Sequence, residues 1–406
     1  MKKRSLENYI KKISSFYSVL LLTGPRQTGK TTLLKMCSDA DRKYVTLDTF
    51  ENRSLAQNDP ELFLQRYKPP VLIDEIQYAP NLLPYIKADV DSSGNPGDYW
   101  LTGSQQFLLM KNLSESLAGR VAVLSLQGFS QEEKVQNFSG LSFLPSMNYI
   151  QKKESISTPM DLMQVYHEIW KGSYPKLCCG DDWFWQSYYD SYIQTYIERD
   201  IRQLLNVGNE IMFQRFMQVL ASRTGNLLNY ADIARDVGIA LSTAKSWISV
   251  LETSGIIFLL RPYFNNLTNR AIKTPKIYFF DTGLVSFLCG WTSAQTLERG
   301  SMSGNIFENY CVSEIMKSYL HNGKNPAFYY YRDKDNREID LLIEENGVLY
   351  PVEIKKKSNP DKDDIKSFGV VENVLKKERG EGAVVCMAST HLPITENVTA
   401  VPVWYI

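Results

Sequence analysis

The chain has 406 residues, 44% hydrophobic and 22% charged, with 45 basic side chains against 45 acidic ones. That length leaves room for two or three domains with cores of their own, and the even charge balance excludes bulk attraction to nucleic acid or an anionic membrane as an organising force. Six cysteines without C-x-x-C spacing exclude a zinc cluster and a disulfide framework.

No apolar run approaches the roughly 20 residues that cross a bilayer. Nor does an apolar leader core follow Met1-Lys2-Lys3-Arg4. The expectation is a reduced, cytoplasmic protein without a membrane partner. Through about residue 130, short apolar runs alternate with helical segments: Phe16–Thr23, Lys43–Asp48, Val71–Glu75, Tyr99–Thr102 and Arg120–Leu126. This α/β alternation predicts a parallel sheet covered on both faces, with ligands at the carboxyl ends of its strands.

The first such end carries Gly24-Pro25-Arg26-Gln27-Thr28-Gly29-Lys30-Thr31-Thr32, which fits the G-x-x-x-x-G-K-[ST] phosphate-loop pattern between a strand and a helix. Glycines let backbone N–H groups close around phosphate oxygens, and the helix start adds its positive dipole end. Lys30 is then expected at the β- and γ-phosphates of ATP, with the Thr31 hydroxyl on Mg²⁺. The run Val71-Leu72-Ile73 ends in Asp74-Glu75. That pattern places Asp74 on the Mg²⁺ through water and Glu75 at the attacking water. Leu101-Thr102-Gly103-Ser104 ends the next strand, with Ser104 or Thr102 as a γ-phosphate sensor. Phosphoryl transfer spreads negative charge that an arginine of the same chain or of a neighbour can neutralise, and Arg120, in Ser116-Leu117-Ala118-Gly119-Arg120, is the candidate finger, in cis or in trans. The competing reading of Arg120 is a structural ion pair.

Residues from about 130 to 225 read as helical and aromatic. Trp183, Trp185, Tyr188, Tyr189, Tyr192 and Tyr196 crowd one region, and their helical spacing favours packing over base stacking. Two short helices, Asp232–Asp236 and Ser242–Thr253, flank Val237-Gly238-Ile239, and the strand Ile256–Leu260 follows. Helix–turn–helix then strand is the winged-helix pattern. Its second helix would expose Thr243, Lys245, Ser246 and Ser249 and bury Trp247, Ile248 and Leu251. Arg270, Lys273 and Lys276 are candidate phosphate contacts.

The last part returns to α/β texture. Helix Asn305–Leu320 precedes strands Ala327–Tyr331, Ile339–Glu344 and Leu349–Lys355. Alternation puts Glu353 and Lys355 on one face. If Asp340 faces the same way, two carboxylates and an amine converge, and Glu308 on the helix adds a third acid. Such oxygens suit Mg²⁺, and a lysine beside them suits phosphodiester hydrolysis. Against this, residues 301–406 carry 13 Lys and Arg and 16 Asp and Glu, a poor balance for a polyanion binder.

Together these residues resemble a family of prokaryotic AAA-type ATPases with a winged helix and a restriction-endonuclease-like carboxyl-terminal domain. Further marks are Gly172-Ser173-Tyr174-Pro175, Tyr196-Ile197-Glu198-Arg199-Asp200, Pro275-Lys276-Ile277-Tyr278-Phe279-Phe280-Asp281-Thr282-Gly283-Leu284 and Gly304-Asn305-Ile306-Phe307-Glu308. Gly172-Ser173 departs from the two glycines usual in that family. The end of the chain also resembles the PD-(D/E)xK nucleases. By that resemblance Glu308, Asp340 and Glu353 match the metal-holding acids and Lys355 the catalytic lysine. The implied domains are an ATPase domain over 1–140, a helical region over 141–225, a winged helix over 226–300 and a nuclease-like domain over 301–406. The implied function is ATP hydrolysis coupled to a DNA-acting effector. The alternative is an ATP-dependent switch whose last domains bind a protein partner without cutting. DNA, a protein partner and a homo-oligomer all stay open.

Overall fold

The computed structural model describes residues 2–103, 117–196, 210–265 and 273–406. The chain divides into two compact units. One holds Met1–Gln127, Thr253–Gly255 and Leu320–Gly323; the other holds Gly128–Glu252, Ile256–Tyr319 and Lys324–Ile406.

The first unit is built on five strands: β1 (Val19–Thr23), β2 (Lys43–Thr46), β3 (Val71–Asp74), β4 (Tyr99–Thr102) and β5 (Val121–Ser125). All neighbours pair in parallel, in the order β2-β3-β4-β1-β5. Every residue of β1 is buried because both sheet faces are covered. Val19 and Leu21 pack with Phe63, Leu83 and Ile86, while Leu20 and Leu22 pack with Leu6, Leu33 and Leu34. Each such side chain contributes about 1.5–3 kcal/mol on burial, so an unbroken apolar run is the stable sequence here. After β1 the chain crosses to β2 on one side, and after β4 it crosses to β5 on the other. The reversal opens a crevice at the carboxyl end of β1.

The second unit combines helices with one mixed sheet of eight strands. These are β6 (Ile257–Pro262), β7 (Lys276–Phe279), β8 (Phe328–Arg332), β9 (Glu338–Glu345), β10 (Val348–Ile354), β11 (Gly382–Cys386), β12 (Leu392–Thr395) and β13 (Val398–Pro402). Their order is β12-β13-β11-β10-β9-β8-β6-β7. The helices Tyr230–Val237 and Leu241–Thr253 precede the antiparallel pair β6–β7. β6 also pairs in parallel with β8 through Arg261 and Pro262. The strand that the sequence reading gives to the winged helix therefore joins, as part of β6, the sheet of the last hundred residues.

The aromatic run is core. Tyr188, Tyr189, Tyr192 and Tyr196 of helix Trp185–Tyr196 are all buried, whereas Trp183 is 83% exposed. Asp281 ties this helix to two distant motifs. Its Oδ1 accepts from Tyr189 Oη at 2.6 Å and Leu284 N at 2.7 Å; its Oδ2 accepts from Ser173 N at 2.6 Å and Ser173 Oγ at 2.7 Å. Gly172 beside it has φ +87°, and a Cβ there would lie 2.3 Å from Tyr189 Oη. The second position of the Gly172-Ser173 pair is thus a working hydroxyl donor. Among the described residues no helix is long and apolar enough to cross a membrane.

Candidate functional site

The phosphate loop leaves β1 at Thr23 and enters helix Lys30–Cys37. Gly24 has φ +136°, and a Cβ on it would lie 2.1 Å from the Leu126 carbonyl oxygen. Gly29 has φ +90° and caps the helix, with open space where a Cβ would stand. The first glycine is required by close approach and the second by backbone conformation. Thr28 Oγ1 donates to the Pro25 carbonyl at 2.9 Å and closes the loop from inside. Arg4 braces it from behind, donating to the Thr28 carbonyl at 3.1 Å and the Gln127 carbonyl at 2.7 Å. The Lys30 ammonium is held within the loop by the carbonyls of Gly24 at 3.0 Å and Pro25 at 2.7 Å.

Asp74 ends β3, and the register that sets Ile73 against Leu101 brings it beside Thr102 on β4. Its Oδ1 accepts from Thr31 Oγ1 at 2.8 Å and, in a short bond, from Thr102 Oγ1. Its Oδ2 accepts from Tyr44 Oη at 3.0 Å. All three donors are neutral hydroxyls. Burial first and then the Asp74 charge push the Tyr44 phenol up to about 12, which keeps it a donor. Glu75 follows at φ +59°, a left-handed conformation uncommon for a side-chain-bearing residue. It turns the chain out of the strand, and its N–H donates to Thr102 Oγ1 at 3.2 Å. Its carboxylate accepts a short bond from Gln77 Nε2. Thr31 and Asp74 fit a Mg²⁺ ion by their oxygen chemistry and juxtaposition.

Four expected site residues, Lys30, Thr31, Asp74 and Glu75, thus gather at one end of the sheet with the loop glycines. Ser104 lies outside the described residues. Thr102, two residues earlier, donates to the Asp74 carboxylate and accepts from the Glu75 backbone N–H. Arg120 stands apart from them. β1 and β5 are parallel, with Val19 opposite Val121 and Thr23 opposite Ser125. Arg120 therefore precedes its strand at the amino end of the sheet, and the loop leaves at the carboxyl end. Arg120 falls opposite Ser18, so it and Gly24 are about 20 Å apart along the sheet at roughly 3.3 Å per strand residue. Its guanidinium makes a short ion pair with Asp91 and donates to the Ala118 carbonyl at 3.1 Å. The competing reading of this residue, a structural ion pair, is the contact this chain shows. Tyr44 was missed by sequence reasoning, since nothing in a strand tyrosine signals that it faces an acid 30 residues further along the chain.

A second cluster lies in the other unit. The register Val352 opposite Leu341 puts Glu353 of β10 beside Asp340 of β9. Lys355 Nζ is 2.6 Å from Glu353 Oε1 and 4.0 Å from Asp340 Oδ2, which also accepts from the Ile354 N–H at 3.0 Å. Glu308 of helix Ser303–Leu320 accepts from Tyr278 Oη at 2.5 Å. The four sequence-predicted residues are brought into one cluster. Lys276 joins them and corrects the expectation of a phosphate contact there: it is only 4% exposed and is enclosed by carboxylates. Burial first, then the Asp340 charge, raise Glu308 to about 7 and Glu353 to about 8. Burial works against the Lys276 charge, but Glu308, Asp340 and Glu338 outweigh it and hold its ammonium above the ordinary value. Among the described residues no group of three or more His, Cys, Asp and Glu is arranged to hold a metal ion. As arranged, the cluster does not fit the expected cation.

The helix pair of the second unit exposes Lys245, Ser246 and Ser249, with Thr243 half-buried. Trp247 is buried against Phe213 and Phe216 at ring separations of 5.0 and 5.1 Å. Lys273 is exposed, and Arg270 lies outside the described residues.

Comparison with known proteins follows this division. Residues 17–135 match a family model described as an AAA domain. Residues 164–295 and 303–406 match two models described as domains of unknown function. Two uncharacterized proteins, of Mycobacterium tuberculosis and Mycobacterium bovis, are each 29% identical over 391 residues, covering 95% of this chain and 80% of theirs. Among solved structures, a Walker-type ATPase of Pyrococcus abyssi is 15% identical with a TM-score of 0.45, covering 70% of this chain and 94% of its own. A signal-transduction ATPase of Pyrococcus horikoshii with a tetratricopeptide repeat sensor is 13% identical with a TM-score of 0.25, covering 78% of this chain and 48% of its own. Likeness at these scores carries no argument about this chain. The match over residues 17–135, on a parallel sheet with a phosphate loop, supports a P-loop ATPase of the AAA type.

Proposed function

We propose that the chain binds and hydrolyses ATP at the carboxyl end of β1, and that this turnover drives an effector in the second unit. The observation that carries the reading is the bond between Thr31 and Asp74 beside the phosphate loop. Backbone N–H groups of the loop and the start of helix Lys30–Cys37 bind the phosphates. The Lys30 ammonium exchanges loop carbonyls for phosphate oxygens. Thr31 and Asp74 hold Mg²⁺, which supplies charge neutralisation when bound. Glu75 orients and deprotonates the attacking water, with Gln77 fixing its carboxylate. Purified Lys30→Ala should lose nucleotide binding. Glu75→Gln should bind ATP and hydrolyse it 10²–10⁴-fold more slowly, the usual contribution of a general base. Normal turnover in Glu75→Gln would remove Glu75 from the mechanism.

For the effector, two observations favour different readings. The exposed Lys245, Ser246 and Ser249 face supports a winged-helix contact with DNA. With Glu308, Asp340, Glu353 and Lys355 in one cluster, it supports a nuclease-like effector. The presence of Lys276 among those acids supports the alternative, a switch that engages its partner without cutting. Incubation with single-stranded, double-stranded and branched DNA, with Mg²⁺ or Mn²⁺ and with or without ATP, separates the two. Cutting that is lost in Asp340→Ala establishes the nuclease-like reading; neither cutting nor binding on any of these substrates favours the switch.

A further inference from the structure

Lys276 stands where the sequence reading puts a metal ion. Its ammonium is 2.7 Å from Glu338 Oε1, 3.2 Å from Glu308 Oε1 and 3.7 Å from Asp340 Oδ1. Two of the three expected metal ligands are therefore engaged by one lysine. The third, Glu353, is engaged by Lys355. Lys276 is also fixed at its backbone: it opens β7, pairs with Leu260 and forms a bridge with Leu227. One acceptor is left over, since Glu353 Oε2 is buried without a hydrogen-bond partner. The cluster thus has carboxylate oxygen to spare, and the point at which Glu338, Glu308 and Asp340 converge is held by the Lys276 ammonium.

We propose that the Lys276 ammonium is the resident cation of this cluster and competes with divalent cations for Glu308 and Asp340, so that the native chain keeps the site closed to Mg²⁺ and Mn²⁺. A divalent ion placed on Glu308 and Asp340 would sit within a few ångströms of the ammonium. Buried like charges at that range repel strongly, because little solvent screens them. To admit the ion, Lys276 must leave three carboxylates at once and find water from a buried position. Removing its charge while keeping an apolar stem of similar length should convert the cluster into a metal site. The proposal rests on the non-cutting reading of the effector and is independent of ATP turnover.

The test is Mn²⁺ binding to the full chain without nucleotide, read by electron paramagnetic resonance. The proteins compared are wild type, Asp340→Asn, Lys276→Met, Lys276→Gln and the Lys276→Met/Asp340→Asn double variant. Wild type and Asp340→Asn should bind Mn²⁺ equally weakly. Lys276→Met should gain one site per chain, at least tenfold tighter than any in wild type, and the double variant should lose it. Lys276→Gln gives the same reading if the methionine variant does not fold. A wild-type site that disappears in Asp340→Asn would overturn the proposal without any change at position 276. So would the absence of a gained site in whichever position-276 variant folds. ATP turnover measured on the same preparations reports separately on the first unit.

Discussion

Asp74 and Asp340 are both buried aspartates on sheet strands, each with a glutamate within two residues, yet their surroundings differ in one respect. Asp74 is held by three hydroxyls, from Thr31, Thr102 and Tyr44. Asp340 is approached by two ammonium groups, from Lys276 and Lys355. Neutral donors orient a carboxylate and leave its charge available to an incoming cation. Ammonium donors orient it and consume the charge. Lysine placement makes the same point. Lys30 has among its partners the backbone carbonyls of its own loop, which phosphate oxygens can replace, and Lys276 is surrounded by three carboxylates. The first site is poised for a ligand, and the second already contains its counter-ion.

Asp281 sharpens the comparison. It too has only neutral donors, but four of them, two on each oxygen. A carboxylate with every strong acceptor position filled is a structural joint, and Asp74, with three, retains a position for a ligand shell.

The largest predicted effect is on turnover. Lys30→Ala should lower ATP hydrolysis by at least 10²–10³-fold, the scale of losing one preorganised charge contact, while leaving the melting temperature of the second unit unchanged. Retained turnover would place the chemistry elsewhere. Next comes stability. Asp281→Ala strips the partner from Ser173, Tyr189 and Leu284 and should cost about 3–5 kcal/mol, as breaking a buried polar network does, measured by denaturant titration. A cost below about 1 kcal/mol would show that water replaces the carboxylate and that the joint is dispensable.

The pH dependence is smaller and carries a definite sign. Glu353, raised from its ordinary value to about 8, binds a proton in the folded chain that it lacks when unfolded. Its contribution to stability is fully present below about pH 4.5 and is lost as pH rises through about 8. Wild type should therefore lose stability across that window relative to Glu353→Gln, whose slope is flatter. Parallel slopes would show that Glu353 is ionised throughout, and would weaken the picture of a cluster with surplus negative charge. The smallest effect is at Tyr44. Tyr44→Phe removes one of three donors to Asp74 and should weaken metal-dependent nucleotide binding by about 0.5–1.5 kcal/mol, roughly three- to tenfold.

Much of the first unit was legible because its signals are local. A phosphate loop, an apolar strand ending in two acids and both-face burial of β1 each occupy a few consecutive residues. Expected strand ends fall within a few residues of the observed ones; β4 coincides, and Glu75 leaves the strand because its left-handed backbone turns it out. What stayed hidden depends on three-dimensional register. Which end of the sheet Arg120 occupies follows from the β1–β5 pairing, not from its distance to a strand. Tyr44 reaches Asp74 only because β2 lies beside β3. In the second unit the acids were found by spacing, but Lys276 sits 32 residues before Glu308 and 64 before Asp340, and no spacing rule joins them. Strands β11 to β13 carry short runs among turn residues and were not anticipated. The Asp281 joint, spanning Ser173 to Leu284, is equally non-local.

The most direct test of the central claim is the count of tightly bound Mn²⁺ per chain in the presence of a non-hydrolysable ATP analogue. One ion per chain is predicted, dependent on the nucleotide, absent in Asp74→Asn and unchanged in Asp340→Asn. An ion that survives Asp74→Asn and vanishes in Asp340→Asn would contradict the account.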